Sequence, residues 1–133
     1  RQNLLNLFMK DTSAGASHNS IGSSSNQFGE FDVNGFQSVI AIKLDDLNQI
    51  EGVPSPNHIK LDVDGKELEI LEGAANILSG INSILVEMEG INLDENLEKI
   101  ENILAMAGLE EELSWRNKGS RRNRLYLRKY SNE

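Results

Sequence analysis

Ile59-Lys60-Leu61-Asp62-Val63-Asp64-Gly65-Lys66-Glu67 decides how this chain is read. His58 to Val63 has the composition of a strand and runs directly into Asp64-Gly65. A helical pattern follows over about Lys66 to Ser79. Leu68, Leu71, Ala75 and Leu78 recur at steps of three and four, and Ile70, Ala74 and Ile77 widen the stripe. Asp64 is placed to cap that helix, with Glu67 three residues on at capping-box spacing, and Gly80 ends it. Asn82 to Met88 is the next strand, and its apolar centre Ile84-Leu85-Val86 suits a sheet position covered on both faces.

Upstream, Ser38 to Lys43 reads as a strand, Leu44 to Ile50 as a short polar helix, and Val53-Pro54-Ser55-Pro56-Asn57 as a rigid connector. Downstream, Leu97, Ile100, Ile103, Leu104 and Ala107 share one side of a helix over about Asp94 to Ala107, closed by Gly108. Two strands finish the chain, Leu109–Trp115 and Arg124–Tyr130, about the turn Asn117-Lys118-Gly119-Ser120. The alternation predicts an α/β fold, the later half of a doubly wound Rossmann-like sheet ending in an antiparallel hairpin. Residues 1–37 differ. They are rich in Ser, Asn and Gly, with one strand at Leu4–Met9 and otherwise a long loop or ragged hairpin, so 38–133 forms the α/β core of a single domain.

Composition narrows the function. The 133 residues carry a net charge of −8 and no cysteine, which removes disulfide frameworks, Cys-ligated zinc and thiol catalysis. Residues 1–115 hold 6 basic and 20 acidic side chains, a body unsuited to nucleic-acid phosphates. The basic stretch from Arg116 to Lys129 reads as a solvated hairpin loop, with contact to an anionic substrate or an acidic neighbour as the alternative. No apolar run is long enough to span a bilayer and no signal-peptide pattern opens the chain, so a cytoplasmic address is expected. The closest glycines, Gly29 and Gly35, are six apart, which excludes G-x-G-x-x-G and the P-loop. His18 and His58 lack zinc spacing, and no metal is assigned.

What remains is a set of acids where strands end: Asp62 and Asp64 after one, Glu87 and Glu89 after the next. In an open parallel sheet the ligand crevice lies outside the carboxyl ends of the strands. Neighbouring strands are about 4.8 Å apart, so Asp62 and Glu87 can converge on one pocket. Two carboxylates there can bind an amine or a metal, or one can serve as general base. Asp62 is the acid least explained by structure, because a carboxylate inside an apolar strand needs a partner.

Ile59 to Glu67, then Leu71-Glu72-Gly73-Ala74, then Ile84-Leu85-Val86-Glu87, together resemble the FkbM family of S-adenosylmethionine-dependent methyltransferases. That family carries I-K-x-D-x-[ED]-G-x-E, a following L-x-G-A and a strand ending in Glu. Lys43-Leu44-Asp45-Asp46-Leu47 is similar to its T-L-D-x-L element, and Phe8 to Gly22 to its preceding polar segment. The resemblance implies methyl transfer from S-adenosylmethionine to a hydroxyl of a glycan or other small-molecule acceptor. It implies catalytic roles for Asp62 and Glu87, cofactor contacts from Asp62 and Asp45, and acceptor contacts from Glu67 and Glu87. The family's Gly-rich cofactor turn has no counterpart here. The resemblance therefore places Arg1 after the third strand of the family's sheet, and a homo-oligomer through the exposed sheet edge is expected. Two alternatives stand beside it. Asp62-Val63-Asp64-Gly65 also resembles the D-x-D-G-T loop of haloacid-dehalogenase phosphatases, with Lys66 in place of Thr. An inert acidic interaction module is the other.

Overall fold

The computed structural model describes residues 3–14, 16–26, 28–88, 93–118 and 122–130. Glu89, Gly15 and the Gly119-Ser120 end of the expected last turn lie outside them. The strands are β1 (Asn3–Met9), β2 (Ser20–Ile21), β3 (Ser25–Asn26), β4 (Gly29–Glu30), β5 (Gly35–Ala41), β6 (His58–Leu61), β7 (Ser83–Glu87), β8 (Leu109–Glu111) and β9 (Asn123–Arg128). The helices are α1 (Leu44–Leu47), α2 (Glu67–Glu72), α3 (Ala75–Gly80) and α4 (Leu93–Met106), with one 3-10 turn at Leu113–Trp115.

These elements make a mixed α/β structure with three small sheets, ordered β2-β1-β5, β3-β4 and β6-β7-β9-β8. The α/β class is as expected, and the described residues show no clear Rossmann-like arrangement. β5 pairs antiparallel with β1 along seven residues, from Gly35 opposite Met9 to Ala41 opposite Asn3, and so lies in a different sheet from β6. Among the described residues only β6 and β7 run parallel; β9 is antiparallel to both β7 and β8. The antiparallel ending is as expected, with β9 inserted between β7 and β8.

The third sheet is covered on one face. Register sets Leu61 beside Val86 and Ile84 beside both Ile59 and Tyr126. On this face Leu61, Ile84, Val86, Leu109 and Tyr126 join Leu71, Ala74, Ile77, Leu78, Ile100 and Leu104 of the helical segments in one buried core. On the opposite face Leu85 and Leu125 are half-buried and Leu127 is exposed. Coverage of Ile84-Leu85-Val86 on both faces is thus corrected: period-two burial, not a fully enclosed strand, fits β7.

Three boundaries differ from the sequence pattern for local reasons. The helix expected over 66–79 is two helices, because Gly73 and Ala74 leave helical geometry with ψ of 8° and 15°. The strand expected to reach Trp115 stops at Glu111, where the 3-10 turn begins and the Glu112 carboxylate accepts from the Ser114 N–H. The helix at 44–50 shortens to α1. By contrast α4 matches its pattern closely, and Gly108 ends it with φ +78°, a left-handed cap suited to glycine.

Most of the basic stretch is tied into this layer. Arg128 donates to the Leu78, Ile81 and Ala107 carbonyls at 2.7, 2.6 and 3.0 Å, joining the ends of α3 and α4 to β9. A Cβ on Gly108 would lie 3.2 Å from that guanidinium. Arg124 pairs with Glu101 of α4 at 3.0 Å, and Arg116 reaches Glu111 with two bonds of 2.6 Å. The reading of this stretch as a purely solvated loop is therefore corrected.

Candidate active site

Leu61 and Val86 are in register, so the residues that follow them emerge side by side at the carboxyl end of the parallel pair. Glu87 is the last residue of β7, and Asp62 lies one residue past the end of β6. The chain then turns back sharply. Asp64 has φ +57° and Gly65 φ +95°, two consecutive residues in the left-handed region. Asp tolerates that region better than most side chains, and Gly65 enters it without a Cβ.

This turn brings three carboxylates together. One oxygen from each of Asp62, Asp64 and Glu87 lies within 4.8 Å of the other two. Asp62 is exposed, while Asp64 and Glu87 are half-buried. Asp62 is therefore not a buried acid inside a strand, as its sequence context suggests; β6 ends before it. Lys60 sits at the rim with Nζ 2.7 Å from Asp62 Oδ2. That ammonium first, and then a hydrogen bond shared with Glu87, hold the Asp62 carboxyl below the usual carboxylate range. Asp62 in turn raises the Lys60 ammonium above its ordinary value. Concentrated negative charge of this kind favours a cation or the removal of a proton.

The other sequence candidates lie outside the trio. Asp45 caps α3 across the chain: its carboxylate accepts from the Asn76 and Ile77 N–H groups at 3.1 and 3.0 Å, and its own N–H donates to the Gly73 carbonyl. Glu67 is buried, 7% exposed, and its Oε1 accepts from the N–H groups of Val63 and Gly65, each at 3.3 Å. The capping-box pattern is thus half realised. Glu67 reaches back into the turn, to the N–H groups on either side of Asp64, and Asp64 joins the acid cluster. The Asp-Gly dipeptide was the available signal for such a turn. Asn123, in register with Glu87 across β7 and β9, is a neighbour that sequence spacing did not reveal.

An open cleft of about 530 Å³ elsewhere, lined by Lys10, Ser24, Glu30, Phe31, Asp32 and Asn34, contains none of these acids. Among the described residues no helix is long and apolar enough to cross a membrane.

Comparison with known proteins agrees with the motif reading. The family model of the methyltransferase FkbM domain matches residues 3–121, which take in the acid cluster. A hexuronic acid methyltransferase of Haloferax volcanii, AglP, is 33% identical over 84 residues. The match covers 63% of this chain and 34% of that protein, so the matched part spans about a third of the relative's length. No solved structure matches. On the extent of the family match, which supersedes the likeness to phosphatases, this chain belongs to the FkbM methyltransferase domain family.

Proposed function

We propose that the polypeptide carrying this chain transfers a methyl group from S-adenosylmethionine to a sugar hydroxyl, with the acid cluster of residues 62–87 at the reacting end. The observation that carries this reading is the convergence of Asp62, Asp64 and Glu87 within 4.8 Å at the carboxyl end of a parallel strand pair. Family membership supports the reaction class, and the similarity to a hexuronic acid methyltransferase supports a carbohydrate acceptor.

The donor set fits the cationic end of S-adenosylmethionine, since carboxylates accept from an ammonium and favour a sulfonium. Glycines no closer than six residues do not supply the Gly-rich turn for the rest of that molecule. The cofactor supplies an electrophilic methyl group. Asp62, kept ionised chiefly by Lys60, would meet that positive charge and is the residue assigned to the cofactor side. With the cofactor bound, Glu87 would orient the acceptor hydroxyl and, in its ionised form, take its proton as the O–CH3 bond forms and the sulfur keeps the electron pair of the S–CH3 bond that breaks. Both effects depend on holding the oxygen and the methyl group in line. Asp45 supports α3 and is given no contact with the cofactor.

The finer fold assignment belongs with this reading. We take β6-β7-β9-β8 as the later half of a doubly wound sheet. Among the described residues β6 pairs with β7 alone, which leaves its other edge for a neighbouring strand or a second copy.

The test is methyl transfer by the full-length polypeptide from isotopically labelled S-adenosylmethionine to neutral and uronic sugars. Transfer is expected, and Asp62→Ala abolishes it with the far-UV circular dichroism retained. No transfer to any sugar overturns the acceptor class, and undiminished transfer by Asp62→Ala overturns the site.

A further inference from the structure

We infer that Glu67 is a positioning residue: its carboxylate sets the placement of Asp62 and Asp64 through the backbone and touches neither cofactor nor acceptor. The inference rests on the reading of the acid cluster as the reacting site. Glu67 and Ser20 are the buried polar residues among those described. A buried carboxylate needs hydrogen bonds, and Glu67 finds them in the turn that carries the cluster.

The two donors are informative. The Val63 N–H belongs to the peptide that leaves Asp62, and the Gly65 N–H to the peptide that leaves Asp64. Both donate to the same oxygen, Glu67 Oε1, at 3.3 Å. One atom therefore anchors the peptide plane following each of the two site aspartates. Of the two residues between those planes, Val63 and Asp64, the second has φ +57°, a conformation that costs an L side chain energy, though Asp less than most. With the anchor removed, Asp64 relaxes towards ordinary geometry and its carboxylate leaves Asp62 and Glu87. The spacing from Asp62 to Glu67 is what lets a side chain on the first residue of α2 reach back over the turn.

Glu67→Ala removes the acceptor oxygen, whereas Glu67→Gln keeps one in the same place. Nuclear magnetic resonance of the full-length polypeptide reads the effect with neither cofactor nor acceptor present. In Glu67→Ala the Val63 and Gly65 amides are expected to exchange with solvent about tenfold faster or more. Asp64 is expected to lose the strong amide-to-Hα cross-peak of a positive φ. Glu67→Gln is expected to keep both signatures. In turnover, Glu67→Ala lowers kcat on the order of a hundredfold with the KM for acceptor little changed, and Glu67→Gln recovers most of it. If Glu67→Ala does not fold, Glu67→Asp, one methylene short of the turn, is read in the same way. Unchanged amides and Asp64 cross-peak overturn the inference, as does a kcat that Glu67→Gln fails to recover. If the spectroscopic changes appear but no variant, nor the parent, transfers methyl groups, the proposed function fails and the positioning role of Glu67 in the turn stands.

Discussion

Residues 3–41 and residues 58–128 are both threaded with strands, yet they are ordered by different forces. Among the described residues, the thirteen buried hydrophobic side chains all lie between Leu61 and Tyr126. The earlier region contributes Ser20 alone to the buried set. There, Leu4 is 72% exposed and Ile40, directly opposite it, 70%. Order in that region comes from the β1–β5 ladder and from side chains tied to backbone, such as Asn19 accepting from the Lys10 N–H and Asn34 donating to the Lys10 carbonyl. One region is held by apolar burial, the other by hydrogen bonds that compete with water and so contribute less each. The acid cluster belongs to the first, which gives its carboxylates a firm base.

The sharpest way to break this comparison is to remove the same atoms from both regions. Leu104→Ala, at a fully buried position of α4, is expected to cost about 2–5 kcal/mol. Leu4→Ala on β1 is expected to change stability by less than about 0.5 kcal/mol. Urea denaturation followed by circular dichroism measures both, and equal losses would show that the two regions share one core. A second test concerns how the apolar layer is closed. Arg128→Ala leaves the Leu78, Ile81 and Ala107 carbonyls without their donor and is expected to cost about 2–3 kcal/mol. Arg128→Lys recovers part of this, since a point ammonium cannot match the guanidinium fork. The smallest effect sharpens the boundary between the regions. Asp45→Ala removes the cap of α3 and is expected to cost about 1 kcal/mol. Its signature is faster hydrogen exchange at Asn76 and Ile77 than in β7.

The same division explains how much could be read from the sequence. The burial of α4 follows from Leu97, Ile100, Ile103 and Leu104, because one apolar face against one core leaves a periodic trace. β9 was legible for the same reason, whereas β7 was found as an apolar run whose one-sided burial that run did not disclose. The break between α2 and α3 was not, since the apolar period runs straight through it and the residue that caps the second helix, Asp45, is 31 positions upstream of Asn76. Arg128 was grouped with a solvated basic stretch because the carbonyls it binds meet only in the folded chain. The convergence of Asp62 and Glu87 could be argued from strand ends alone. Asp64 was divided between a helix cap and the acid cluster, because a capping residue and a turn residue look alike until the backbone shows which peptide planes face inward.

The bonds from Val63 and Gly65 to Glu67 close small rings within a stretch of five residues, and a closed ring counts its members. Val63 stands 36% exposed outside the ring, so the type of side chain there matters little to its closure. Length matters a great deal. A single residue inserted between Gly65 and Glu67 would lengthen both rings at once, whatever residue was added. The turn is in effect a ruler, and what it fixes is spacing.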